Sequence, residues 1–322
     1  LPTPFEPLDR FGAALGVPLW IKRDDLTGLG LGGNKVRKLE FLIGDAIAHG
    51  CDTVVTFGAL QSNHARQTAA ACAKSGLRCV LILTTAVART SPSYTSGGNV
   101  LLDQLFGAEM LVVDNTPEAI DVAINDVRSR LRADGAQAKW FPAGGSNAIG
   151  AAGYVMAGLE LAQDAQQAGI DLTDVILATS TGGTQAGLLL GLRAADSNAR
   201  VHGIAVFHDA ASTSAAVTEL ADDTARLLGL PAVPTSEIII NDHYLGPSYG
   251  VPTDGMITAL RQMSSTEGVL MDPVYSGKAT HGLMEMAGAG AFSASGAVAL
   301  MHTGGSPSVF AYGEELGAPA PE

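Results

Sequence analysis

Gly32-Gly33-Asn34-Lys35-Val36-Arg37-Lys38-Leu39-Glu40 is the stretch from which the chain opens to interpretation. Two glycines free the backbone, and a helical pattern starts at once: Val36, Leu39, Ile43 and Ile47 recur at helical spacing. Lys35 therefore stands where a flexible loop meets a helix N-terminus, with two more cations within three residues. Neighbouring positive charge and burial both push an amine toward its neutral, nucleophilic form. A Schiff-base lysine needs that form. Taken alone, the stretch reads more readily as the solvated basic start of a surface helix; the rest of the chain reverses that reading.

The chain has 322 residues, enough to bury a large core and to build two lobes. It is 47% hydrophobic and 5% aromatic, and its 39 glycines often fall between apolar runs, which suits an α/β enzyme with many tight strand–helix turns. A net charge of -13 repels polyanions, so nucleic acid and anionic membranes are not expected partners, although a small anionic ligand remains open. Cys51, Cys72 and Cys79 are odd in number and lack zinc-like pairing, so they read as free or buried thiols in a reducing compartment, with no metal expected. No apolar run reaches spanning length and no signal-peptide pattern opens the chain, so a cytoplasmic protein is expected. It begins at Leu1 rather than methionine, which suggests a missing short leader.

Apolar, β-rich runs alternate with helical patterns. Strands are expected at Leu19–Arg23, Thr53–Phe57, Cys79–Leu83, Met110–Val113, Asp174–Thr179, Val201–Phe207, Glu237–Ile240 and Ala297–His302. Helices should start near Asn34, Asn63, Asn99, Pro117, Asn147, Thr184, Ser212, Thr253 and Lys278. Such alternation implies an α/β fold of two lobes, each an open, mostly parallel twisted sheet flanked by helices. A small domain is expected over about 49–160, with 1–48 and 161–322 forming the larger one. The Pro/Ala/Glu tail after Leu316 should fray.

In open parallel sheets ligands bind beyond the carboxyl ends of strands, so the turns there matter most. After Thr53–Phe57 comes Gly58-Ala59-Leu60-Gln61-Ser62-Asn63-His64, in which Ser62 or Asn63 caps a helix whose free N–H groups can bind a carboxylate or phosphate. After Asp174–Thr179 comes Ser180-Thr181-Gly182-Gly183-Thr184, a phosphate cup in chemical terms. It lacks a P-loop lysine and is not G-x-G-x-x-G, which favours one phosphate monoester over a dinucleotide or ATP. Tyr275, in Asp272-Pro273-Val274-Tyr275-Ser276-Gly277-Lys278, offers a phenol that can transfer protons if its pKa is lowered, and Tyr249 offers the same. Thr303, in His302-Thr303-Gly304-Gly305, offers a hydroxyl to the edge of a flat heteroaromatic ring. A reactive lysine, a monophosphate cup, an anion-binding helix start and that hydroxyl together describe pyridoxal 5′-phosphate (PLP).

From Leu1-Pro2-Thr3-Pro4 through Ile21-Lys22-Arg23-Asp24-Asp25 and the Lys35 segment to His302-Thr303-Gly304-Gly305, the chain resembles PLP-dependent enzymes of the tryptophan-synthase β-like fold (fold type II). Within them it resembles the D-cysteine desulfhydrase / 1-aminocyclopropane-1-carboxylate deaminase family. The resemblance implies that Lys35 is the Schiff-base lysine and moves the α-proton. It implies that Lys38 helps hold the phosphate in a cup of Thr181, Gly182, Gly183 and Thr184, and that Asn63 bonds the pyridoxal 3′-oxygen. Ser62, Asn63 and His64 would grip the substrate carboxylate, with Ser62 also available for proton transfer. Tyr249 and Tyr275 would line the substrate side. Thr303 would face the pyridine nitrogen, where a neutral hydroxyl makes a weaker electron sink and favours prompt loss of a β-substituent.

Deaminases of the cyclopropane substrate typically carry Glu and Leu where this chain has Ser276 and Thr303. Both departures point toward α,β-elimination from a cysteine-like amino acid, releasing sulfide from D-cysteine or sulfite from L-cysteate. The run Tyr94-Thr95-Ser96-Gly97-Gly98-Asn99 resembles both groups, whereas Ala279-Thr280-His281-Gly282 departs from an expected Ala-Met-Ala-Gly. His281 is a candidate contact for an anionic β-substituent, and equally a structural or surface histidine. Cyclopropane deamination, another β-elimination, and amino-acid binding without turnover are the alternatives. The resemblance also suggests a homodimer.

Overall fold

Alternate residues of the central strands face opposite ways, and both ways are apolar, so helices must cover both faces of each sheet. On the strand Thr53–Ala59, Val54 enters a core with Leu39, Leu42 and Ala69, while Val55 packs against Ala123, Val127 and Leu131. On Leu172–Thr179, Val175 and Leu177 enter one core and Ile176 and Ala178 another.

The computed structural model describes residues 2–293 and 295–317; the tail expected to fray lies from residue 318 onward outside them. The elements run β1 (Phe5–Pro7), α1 (Asp9–Leu15), β2 (Leu19–Lys22), α2 (Lys35–Ala48), β3 (Thr53–Ala59), α3 (Asn63–Ser75), β4 (Arg78–Thr84), α4 (Pro92–Ser96) and α5 (Gly98–Leu105). Next come β5 (Glu109–Val113), α6 (Pro117–Ala133), β6 (Ala138–Trp140), α7 (Ala148–Ala168), β7 (Leu172–Thr179), α8 (Gly183–Ala194), β8 (Arg200–Ala205), α9 (Ala210–Leu228) and β9 (Ile239–Asn241). The chain ends through α10 (Asp254–Glu267), α11 (Ser276–Gly288), β10 (Ala297–Met301), α12 (Pro307–Ala311) and α13 (Gly313–Leu316).

Two sheets form, as the alternation requires. One has four parallel strands in the order β5-β4-β3-β6. The other has six, β1-β2-β10-β7-β8-β9, parallel except for β1. Expected strands differ from observed ones at their ends: β8 stops at Ala205, and Glu237 lies in a 3-10 turn before β9. Strands β1 and β6, of three residues each, and helices α1 and α4 were not foreseen.

The helices at the margins of the 49–160 block pack across its expected edges. The inner face of α2 joins the core of the four-stranded sheet. Tyr154, Val155, Ala157 and Leu161 of α7 join that of the six-stranded sheet. α2 and α7 meet at backbone distance: a Cβ on Gly153 would stand 2.1 Å from the Arg37 carbonyl oxygen. Behind this contact Arg37 Nε and Nη2 donate to Asp24 at 2.9 and 2.8 Å, and Nη1 donates to Glu160 at 2.8 Å. Desolvation opposes the Glu160 charge, but the bonds from Arg37, Lys22 and the Thr3 N–H prevail and hold its carboxyl down at about 2.

Candidate active site

The carboxyl ends of β3, β4 and β7 deliver their turns to one cavity of about 280 Å³, which the turns after β6 and β10 also reach. Lys35 lines it from the first residue of α2. The loop before it closes tightly, because Gly33, at φ +128°, would drive a Cβ to 2.6 Å from the Gln67 amide nitrogen. The turn after β10 lies against that loop: Asn34 N–H donates to Thr303 O at 3.0 Å, which brings Thr303 to the cavity beside Lys35.

Lys35 Nζ has no hydrogen bond or ion pair to protein among the described residues. Its side chain keeps some surface because it reaches the cavity, yet burial of the amine lowers its pKa to about 8. Neighbouring charge, expected to help, is not the cause. Arg37 is turned behind the helix into the Asp24 and Glu160 carboxylates. Lys38 is itself pushed well down, by burial first and by the Lys35 charge second.

The turn expected to form the cup opens onto the cavity, together with residues the sequence did not suggest. Thr181, Gly182 and Thr184 line the cavity at the start of α8. Lys38 does not line it directly but stands behind Gly183, donating to Gly144 O at 3.2 Å and Ser146 Oγ at 3.0 Å. A Cβ on Gly183 would lie 3.0 Å from Lys38 Nζ and 2.9 Å from Ser146 Oγ, so a side chain there would fill the cradle. Ser146 Oγ and Thr181 Oγ1 are 2.6 Å apart, and Asn34 Nδ2 donates to Thr184 Oγ1 at 3.0 Å. Gly144 and Ser146 were missed; their signal was a Gly-Gly-Ser turn just before the Asn147 cap of α7.

At the start of α3, Ser62 is the cap: its Oγ accepts from Ala65 N–H at 3.2 Å. Ser62, Asn63 and His64 all line the cavity. Helix geometry leaves the first N–H groups of α3 without intrahelical partners. Thr56 Oγ1 donates to Phe141 O, so it accepts from His64 Nε2, 2.8 Å away. His64 Nδ1 is then an acceptor, buried and without a partner among the described residues. Burial, with the Lys35 and Lys38 charges adding, drives the His64 pKa well down and keeps the ring neutral.

Tyr249 and Tyr275 also line the cavity, with their hydroxyls bonded to each other. Burial pushes both phenols up, the reverse of the lowering that proton abstraction needs; they hold protons rather than take them. Asp272 fixes this corner by accepting from the N–H groups of Val274, Tyr275 and Ser276 at 3.0, 3.0 and 2.6 Å.

Two expected substrate contacts are not at the cavity. Ser276 spends its hydroxyl on Asp272, donating to Oδ1 at 2.6 Å and accepting from the Asp272 N–H at 2.7 Å. His281 lies about 9 Å further along the α11 axis than Tyr275, edge-on to Tyr244 at 5.1 Å. It packs hard against α10, where a Cβ on Gly255 would fall 2.2 Å from its ring. It is a packing histidine.

A sequence profile described as pyridoxal-phosphate dependent enzyme matches residues 1–304. The chain belongs to the pyridoxal-phosphate dependent enzymes. Among family relatives, a protein named D-cysteine desulfhydrase from Salmonella newport (strain SL254) is 42% identical over 311 residues, 97% of this chain and 94% of that one. A protein of the same name from Salmonella typhimurium (strain LT2) is also 42% identical over the same shares. A solved structure described as an ACC deaminase homologue superposes with a TM-score of 0.88 at 35% identity, covering 98% of this chain and 93% of that one. The cofactor is pyridoxal phosphate, and the residues fit it: a glycine-floored cradle backed by Lys38 suits one phosphate, and Lys35 is a free amine across the same cavity. Among the described residues no helix is long and apolar enough to cross a membrane, and Cys51, Cys72 and Cys79 are free thiols.

Proposed function

We propose that the chain catalyses α,β-elimination on D-cysteine, taking up water and yielding pyruvate, ammonia and sulfide. The observation that carries this reading is Lys35. An unpaired amine with its pKa near 8 shares one cavity with a phosphate cradle and an anion-binding helix start. When bound, the cofactor supplies an electron sink for the carbanion left by loss of the α-proton. Lys35 anchors its aldehyde and then takes the α-proton. Lys38, Ser146, Thr181, Thr184 and the α8 N-terminus hold its phosphate. Asn63 donates to the 3′-oxygen, and Thr303 offers the ring nitrogen a neutral hydroxyl. The free N–H groups of α3 at Asn63 and His64 hold the substrate carboxylate, with Ser62 beside them for proton transfer. Tyr275, kept protonated by burial and bonded to Tyr249, can donate a hydrogen bond to the departing sulfur.

The sulfide branch is preferred to sulfite from L-cysteate because His281, the side chain expected to meet a sulfonate, packs against α10. Relatives named D-cysteine desulfhydrase support the same choice. The test is 2-oxo acid release from D-cysteine, L-cysteine, L-cysteate, D-serine and 1-aminocyclopropane-1-carboxylate, with sulfide and sulfite assayed separately. Pyruvate with sulfide from D-cysteine is expected. Sulfite from L-cysteate as the main product moves the enzyme to the other branch, and no 2-oxo acid from any of the five leaves a binder without turnover. Borohydride reduction and peptide mapping should put the cofactor on Lys35. We further propose a cytoplasmic homodimer, supported by the free thiols and the family resemblance, to be checked by light scattering.

A further inference from the structure

Arg66 is fully buried on α3 and touches neither the cavity nor any residue assigned a chemical role above. Its Nε donates to Asn99 Oδ1 at 3.0 Å. Its Nη1 donates to the carbonyls of Gly30 and Gly32, in the loop that leads to Lys35, the second at 2.8 Å. Among the described residues its Nη2 has no partner, and neither do the carboxyl oxygens of Asp103, a buried acid on α5 that burial pushes up to about 8. Burial lowers Arg66 to about 10 against the pull of Asp103, so the guanidinium stays charged at neutral pH.

A guanidinium has donors only, whereas an amide has one end of each kind. Arg66 therefore obliges Asn99 to turn its oxygen inward. Asn99 Nδ2 then faces the other way, with its two hydrogens shared among Asn63 Oδ1 at 2.9 Å, Gln61 O at 3.0 Å and Ser308 Oγ at 3.2 Å. With its oxygen taken, Asn63 has only its N–H donors left for the cavity it lines. Two amides in series carry the polarity of one buried cation to the site. With the Asn99 and Asn63 amides both reversed the pair would still bond, but an oxygen of Asn63 would then meet the oxygen it has to hold.

We propose that Arg66 is a positioning residue that sets the direction of the Asn99 and Asn63 amides, so that Asn63 presents hydrogen-bond donors to the pyridoxal 3′-oxygen. The proposal rests on the reading that Asn63 touches that oxygen. Its grip on Gly30 and Gly32 ties the Lys35 loop to the same guanidinium.

The test uses holoenzyme variants and two readouts besides turnover: the pH titration of the cofactor's visible absorption and its dissociation constant. Asn99→Asp is nearly isosteric but offers only acceptors, so it should reverse Asn63, shift the absorption titration and weaken cofactor binding about tenfold. Arg66→Gln, which can point either end at Asn99, should do the same to a lesser degree. Arg66→Lys keeps a donor-only group and should stay close to wild type in the titration even where melting shows lost stability. Asn63→Ala tests the underlying reading: an unchanged titration there refutes the Asn63 contact. A shifted titration in Asn63→Ala, with Asn99→Asp and Arg66→Gln both titrating as wild type, refutes the relay alone. Melting of the cofactor-free proteins reads folding separately: Asn99→Asp or Arg66→Gln melting early but titrating as wild type also counts against the relay, and a shifted titration in Arg66→Lys does so too.

Discussion

In the cofactor-free protein the Lys35 amine should titrate near 8 rather than at 10.5, because burial removes the water that stabilises its charge. At pH 7 about one molecule in ten then carries a neutral amine, against about one in three thousand for a solvated lysine, a gain of ~300-fold in the nucleophile. The difference in solvation behind it is about 3 kcal/mol. The chain has six lysines, so ε-carbon NMR of the labelled protein gives few signals, and Lys35→Arg assigns the one that matters. Lys38→Met should leave that titration near 8, since burial is the cause and Arg37 is already neutralised by Asp24 and Glu160. A Lys35 signal titrating above 10, or one moved by a full pH unit in Lys38→Met, refutes the burial argument. The same shift has a stability sign. Between about 8 and 10.5 the unfolded chain still binds a proton that the native chain has released, so the penalty this buried lysine imposes on the native state below about 8 is relieved as pH rises through that window.

Tyr275→Phe keeps the ring but removes the proton held against Tyr249; steady-state assays should show kcat down by roughly 10² or more, with the cofactor spectrum intact. Gly183→Ala puts a methyl 3.0 Å from Lys38 Nζ and should weaken cofactor retention in equilibrium dialysis, while pyridoxal without phosphate is affected less. Gly153→Ala forces α7 away from the Arg37 carbonyl, 2.1 Å from the added atom, and should cost about 1–3 kcal/mol in denaturant unfolding.

Local signals carried much of this molecule. The loop-to-helix junction at Lys35, the Ser62 cap and the Gly182–Thr184 helix start are read from neighbours in sequence, and each stands where expected. Backbone freedom, capping chemistry and apolar periodicity act over a few residues, so they are visible in one dimension. The three-residue strands β1 and β6 were missed because such short runs have no period to read.

The misreadings concern direction. Nothing local distinguishes Ser276 facing a substrate from Ser276 facing Asp272, or His281 over a cavity from His281 against Gly255. Which way Arg37 points, and hence whether charge or burial tunes Lys35, depends on Asp24 and Glu160, one of them 123 residues away. By itself the sequence determined the cofactor's chemistry and the turns that meet at the cavity, because those rest on residue type and local backbone. Only the tertiary structure decided how the amine is tuned and which side chains reach the cavity. Desolvation and hydrogen-bond direction depend on what surrounds a group in space, and those neighbours come from distant parts of the chain.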